Sequence, residues 1–143
     1  MNTFIEPGIM VDELAHAVIG AAIEVHRQLG PGFLEGIYEE ALCLELSEAG
    51  ISFERHKEIG IVYKGRGFGK HRLDLLVGGS LIVELKTVEA QADLHKAQAI
   101  SYLKATRLTL GLLINFNAPI LKNGIQRVVY SEHQTAMTPS APR

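Results

Sequence analysis

The chain lacks any apolar run approaching the roughly 20 residues a bilayer-spanning helix needs, so a membrane is not an expected partner. It has one cysteine, Cys43, which cannot form an internal disulfide and whose place in a helical pattern reads as a buried apolar role. A reducing cytoplasm is the expected compartment. The start, MNTFIEPGIM, has no basic segment followed by an apolar stretch, which argues against a secretory signal. Strong charge of one sign is also missing: 14 Lys and Arg stand against 16 Asp and Glu, for a net charge of −2. Nothing global therefore draws the chain to a polyanion. Zinc-ligand spacing is absent, because His16, His26, His56 and His71 are scattered and the cysteine is single. Gly65-x-Gly67-x-Gly69 opens no helix, so it is not a phosphate-binding fingerprint. Internal repeats and low-complexity linkers are absent too.

What is present fits one compact domain of 143 residues, 47% hydrophobic and 21% charged. VDELAHAVIGAAIEVHRQLG predicts a helix over 11–29, with Leu14, Val18, Ala21, Ala22 and Val25 on one buried face. Gly30, Pro31 and Gly32 end it. A second helix is expected over 34–49, with Leu42, Leu46 and Ala49 on one stripe. From Ile51 the texture turns β-branched and alternating, predicting three strands in ISFERHKEIGIVYKG, KHRLDLLV and SLIVELKTV. Gly65, Gly67 and Gly69 read as a loose connection between the first two. A third helix is expected over 90–105, then LTLGLLINF as a strand buried on both faces, with RVVY as a short edge strand. The expected organisation is a lead-in over 1–10, one α/β domain with a mixed sheet over 11–130, and a mobile tail over 131–143. Charge is unevenly placed within this order. Arg55, His56, Lys57, Lys64, Arg66, Lys70, His71 and Arg72 crowd one region, either as a solvated surface or as a surface able to hold phosphates.

The stretch RLDLLVGGSLIVELK carries three charges in an apolar hairpin. Strand alternation puts Glu84 and Lys86 on one face with Ile82, and Leu81, Val83 and Leu85 on the other. On the preceding strand it puts Leu73, Leu75 and Val77 opposite Arg72, Asp74 and Leu76. Keeping apolar faces together requires an odd loop, because a one-residue slip reverses one strand. A three-residue Gly78-Gly79-Ser80 loop sets Val77 against Leu81 and Asp74 against Glu84, with Cβ atoms roughly 5 Å apart. Opposed like charges need an offset: solvent, Lys86, or a divalent cation, since hard ions take oxygen ligands. The helix over 90–105 would cover this face with Gln91, His95, Gln98 and Tyr102, spaced three and four apart.

An Asp followed ten residues on by Glu-x-Lys, here Asp74 and Glu84-Leu85-Lys86, resembles the PD-(D/E)XK nuclease superfamily. The superfamily's order of elements, a restriction-endonuclease-like core, agrees with the order above (α-α-β-β-β-α-β). Leu73 stands where the motif often has proline. Gly32-x-x-Glu35-x-x-Tyr38 looks like the signature of the GxxExxY protein family, a branch of that superfamily. Gln98-x-x-x-Tyr102 is similar to an element of its exonuclease-like branches. LLINF over 112–116 fits as well, although Asn117 replaces the family's glycine. The resemblance covers residues from about Val11 to Val129.

The resemblance implies a metal-dependent nuclease hydrolysing phosphodiester bonds, with DNA the favoured substrate. Asp74 and Glu84 would hold Mg²⁺ or Mn²⁺, with the Leu85 carbonyl as a third oxygen and Glu35 reaching the metal directly or through water. Lys86 would orient the attacking water or the phosphate. Gln98, Tyr102, His95 and Arg72 would contact substrate or support the site, and Tyr38 is assigned to structure around it. The alternative is a non-catalytic module on the same fold that binds nucleic acid or protein. A homodimer is one way for a domain this small to grip a duplex.

Overall fold

The computed structural model describes residues 9–131. The expected tail beyond Ser131 and all but two residues of the expected lead-in lie outside them. In chain order come α1 (Ile9–Leu29), α2 (Glu35–Glu48), β1 (Phe53–Tyr63), β2 (Arg66–Val77), β3 (Leu81–Lys86), α3 (Asp93–Thr106), β4 (Leu110–Asn115) and β5 (Ile125–Val129), with a single 3₁₀ turn over Leu121–Gly124. The strands form one mixed sheet in the order β1-β2-β3-β4-β5. Only β3 and β4 are parallel, joined by a crossover through α3. Among the described residues no helix is long and apolar enough to cross a membrane.

Two apolar layers hold the sheet. On one face Ala15, Val18, Ala22 and Val25 of α1 and Tyr38, Leu42 and Leu46 of α2 bury against Leu75, Val77, Leu81, Val83, Leu85, Leu112 and Ile114. On the other, Ala99 and Leu103 of α3 bury against Leu73, Leu76, Ile82, Leu113 and Val128. All six residues of β4 are buried, which is why its sequence shows no alternation. Ala49 is exposed rather than part of the α2 stripe, because the helix ends at Glu48.

Two strand expectations need correction. The glycines after Lys64 do not make a loose connection. Lys64 and Gly65, at φ 52° and 77°, form a two-residue turn, and Tyr63 pairs directly with Arg66. That turn shape matches strand twist, so the β1–β2 ribbon runs out unbroken save for a register shift between Gly60 and Val62. Second, Leu73 does not share a face with Leu75 and Val77; it packs with Leu76 under α3. Alternation breaks at Asp74. Opposite it on β1, between the pairs Arg55–Leu75 and Lys57–Leu73, His56 adopts φ 55°, where non-glycine residues are uncommon.

Candidate active site

The break at Asp74 is where β2 and β3 part. Val77, Leu76 and Leu75 pair with Leu81, Ile82 and Val83, the register of a three-residue Gly78-Gly79-Ser80 loop. At the next step, where Asp74 faces Glu84, the ladder ends and side chains replace it. The Asp74 N–H donates to Glu84 Oε2 at 3.0 Å, and the Leu85 N–H donates to Asp74 Oδ2 at 2.7 Å. Each carboxylate thus crosses to the opposite strand and takes an amide the parted ladder leaves free.

Those two bonds only partly offset the cost of the pair. Burial pushes the Glu84 carboxyl up to about 8, with the nearby Asp74 charge adding to the rise. Burial also raises Asp74, against the pull of the Leu85 amide. Lys86, half-buried at the end of β3, favours the ionised form of both, yet no ion pair ties it to either among the described residues. Its ammonium remains available to an incoming anion.

Glu35 reaches this region from the first position of α2. Gly32 turns the preceding loop at φ 110°, a conformation side chains resist. Tyr38, fully buried and stacked on Phe116 at 4.6 Å, ties that loop down. Its hydroxyl donates to the Gly30 carbonyl at 2.6 Å and accepts the Phe33 N–H at 3.1 Å. Gly32 and Tyr38 therefore fix where α2 begins, and with it where Glu35 projects. Burial first, then the Asp74 charge, raises the Glu35 carboxyl. Glu35, Glu39, Arg55, His56, Arg72 and Asp74 line a cleft of about 550 Å³ between α2 and the β1–β2 ribbon.

From the other side α3 contributes Tyr102, which stacks on His71 at 3.9 Å between ring centroids. Burial, then the charges of Glu84 and Asp74, raises its hydroxyl. Gln98 is half-buried one turn earlier on the same helix. Two expected members of this face are used elsewhere. His95 Nδ1 accepts the Ala92 N–H as a local helix cap, and Gln91 precedes α3, donating to the Gly124 carbonyl at 2.7 Å.

The donors suit a hard divalent cation: two buried carboxylates in one strand split, with charge that neither Lys86 nor the backbone amides fully compensate. Among the described residues no three His, Cys, Asp or Glu side chains gather into a ready-made cage. An ion held here would rest on Asp74 and Glu84, with the Leu85 carbonyl, water and substrate oxygens filling the remaining positions, and Glu35 would act at a distance.

Sequence reasoning placed His71 only in the basic surface and missed Glu39 and Asn115. His71 carries a buried Nε2 with no hydrogen-bond partner among the described residues, near Asp74. Glu39, also buried, holds Arg55 at 2.7 Å and His56 at 2.9 Å, so part of the expected basic surface is neutralised inside the cleft. Asn115 accepts the Val88 and Asn117 N–H groups and donates to the Val88 carbonyl, pinning the chain just past Lys86. The spacing of Glu39 from Glu35, one helical turn, was the available signal. For His71 and Asn115 the signal was hidden by the break in alternation and by a long-range contact.

A family model described as the PD-(D/E)XK nuclease superfamily matches residues 12–128. No curated protein matches the chain. Among solved structures, the crystal structure of SSO0001 is similar at 22% identity and a TM-score of 0.48, over 76% of this chain and 60% of that one. An alkaline exonuclease (LHK-Exo) from Laribacter hongkongensis is similar at 11% identity and a TM-score of 0.45, over 96% of this chain and 78% of that one. The chain thus spans 60% of the length of the first of these two.

Proposed function

The chain belongs to the PD-(D/E)XK nuclease superfamily, and from that premise we propose that it is a metal-dependent nuclease hydrolysing phosphodiester bonds, most naturally in DNA, in the cytoplasm. The observation that carries this is the strand split at Asp74 and Glu84, with Lys86, in no ion pair among the described residues, one pleat beyond. Mg²⁺ or Mn²⁺ bound by these carboxylates supplies Lewis acidity at the scissile phosphate. Lys86 binds a phosphate oxygen and stabilises the charge that develops on it. Glu35 lines the same cleft as Asp74 from α2, and from there its carboxylate takes the proton of the attacking water through an intervening water. Arg72 holds a neighbouring phosphate at the mouth of the cleft. Tyr102 and Gln98 orient substrate from α3, and the Gly32, Glu35 and Tyr38 arrangement supports assignment to the GxxExxY branch.

The test is incubation with single- and double-stranded DNA and RNA in Mg²⁺ or Mn²⁺, beside Asp74→Ala and Lys86→Ala. Cleavage is expected to need the metal and to fall by on the order of 10³-fold in Asp74→Ala and 10²-fold in Lys86→Ala. Metal-independent cleavage, or full activity in both variants, would sink the reading.

One observation favours a second reading, a binding module without catalysis. Each carboxylate already accepts an amide across the split, so the pair can serve as a strand-end clasp. Nucleic-acid binding with no cleavage under any metal would select it.

A further inference from the structure

The β1–β2 ribbon continues well beyond the site, and its far half differs in kind from the rest of the surface. Residues 59–70 include Lys64, Arg66 and Lys70 and no carboxylate, in a chain whose acids outnumber its bases. Lys70 has a partner, Glu58, at 3.7 Å, while Lys64 and Arg66 have no carboxylate partner among the described residues. Beside these cations two aromatic rings face solvent: Tyr63 is 60% and Phe68 61% exposed. The rings lie 5.7 Å apart, and the Lys64 ammonium sits 5.5 Å from the Tyr63 ring. The two-residue turn and the Tyr63–Arg66 pair tie the two strands together at this tip. A second feature adjoins it. A groove of about 560 Å³ runs between Gly60–Val62 and the end of α3, where it meets Ser101, Lys104, Ala105 and Arg107, again without a carboxylate.

Exposed rings beside unpaired cations match a ligand with flat apolar faces and a polyanionic backbone. We infer that the outer β1–β2 ribbon is a binding arm for single-stranded nucleic acid, stacking unpaired bases on Tyr63 and Phe68 while Lys64, Arg66, Lys104 and Arg107 hold phosphates. A duplex hides its base faces inside the stack, so only its charge would be recognised here. The inference rests on the nuclease reading for its purpose: it names a substrate with an unpaired segment. From Phe68 to Asp74 is about 20 Å along a strand, roughly six nucleotide steps at the spacing of a helical strand.

The test uses the full chain in chelator, so that binding is read without cleavage. Fluorescence anisotropy compares labelled 12-nucleotide single strands of DNA and of RNA with the blunt DNA duplex. Single strands are expected to bind more tightly. Tyr63→Ala and Phe68→Ala should each weaken that binding about tenfold and leave the duplex unaffected. Lys64→Ala should lower the salt dependence instead. Because the chain has no tryptophan, Tyr63→Trp places a lone reporter at the tip that keeps the stacking surface. Its fluorescence should be quenched by single strands and not by the duplex. DNA and RNA strands bound alike would support stacking without sugar readout. Unchanged single-strand affinity in both alanine variants would overturn the arm, as would a tip that instead joins two copies, seen in sedimentation as a dimer lost in Phe68→Ala. Adding metal to the same samples separates the two ideas. Tip-dependent binding with no cleavage removes the nuclease reading alone, and metal-dependent cleavage indifferent to the tip removes the arm alone.

Discussion

The two halves of β2 share one strand and little else. Its inner half, Leu75 to Val77, is buried, hydrogen-bonded to β1 on one side and β3 on the other, and apolar throughout. Its outer half, Arg66 to Arg72, pairs with β1 only and is mostly exposed. Asp74 lies where one regime gives way to the other. Along β2, that boundary is where a carboxylate can be held by the core and still reach solvent. Inside it, an ionised side chain would be stranded in apolar packing; outside it, nothing would fix its direction. The difference teaches why the carboxylates of this hairpin are not spread along it: chemistry is placed at the end of a ladder, where backbone groups are unpaired and side chains can take their place.

The comparison can be broken by stability measurements. Leu75→Ala, on the inner half, should cost about 2–5 kcal/mol through lost burial and the cavity left behind. At the boundary, the effect should depend on pH. Glu84 in the folded chain titrates near 8, whereas unfolded it titrates near 4.5. The folded form therefore keeps a proton that the unfolded chain releases, so this stabilisation is full below about 4.5 and disappears as pH rises towards 8. Asp74 shifts in the same sense. Thermal midpoints in chelator should fall between pH 5 and 8, and Glu84→Gln should flatten that slope. A midpoint that climbs over this range would contradict the buried pair. On the outer half, Phe68→Ala should move stability by no more than about 0.5 kcal/mol. A larger loss there would mean the ribbon is part of the core after all.

Much of this layout was legible in the sequence because periodicity and turn chemistry report local physics. The sequence predicts the three helices to within three residues at each end, and the fully buried β4 and edge β5 follow from composition. The Asp74–Glu84 opposition followed from parity: only an odd loop keeps Leu81, Val83 and Leu85 with Leu75 and Val77. What could not be read was the exception to parity itself. Strand alternation assumes uniform backbone, and it breaks at Asp74, level with the left-handed residue at His56, so that Leu73 lies in the other layer and His71 on Tyr102. Gly65 with its neighbours reads in sequence as looseness, whereas two consecutive positive φ angles make the tightest connection available. Glu39 capturing Arg55 and His56 is a contact across the fold, and a run of basic residues in sequence does not show which of them are already paired.

The most direct test of the strand split as a cation site is Mn²⁺ binding to the metal-free chain at pH 8, followed by the electron paramagnetic resonance signal of free Mn²⁺. Wild type should remove Mn²⁺ from solution with a stoichiometry that both Asp74→Asn and Glu84→Gln abolish, while Phe68→Ala retains it. Unaltered Mn²⁺ binding in the two carboxylate variants would contradict the account, because the ion would then be held somewhere other than between β2 and β3.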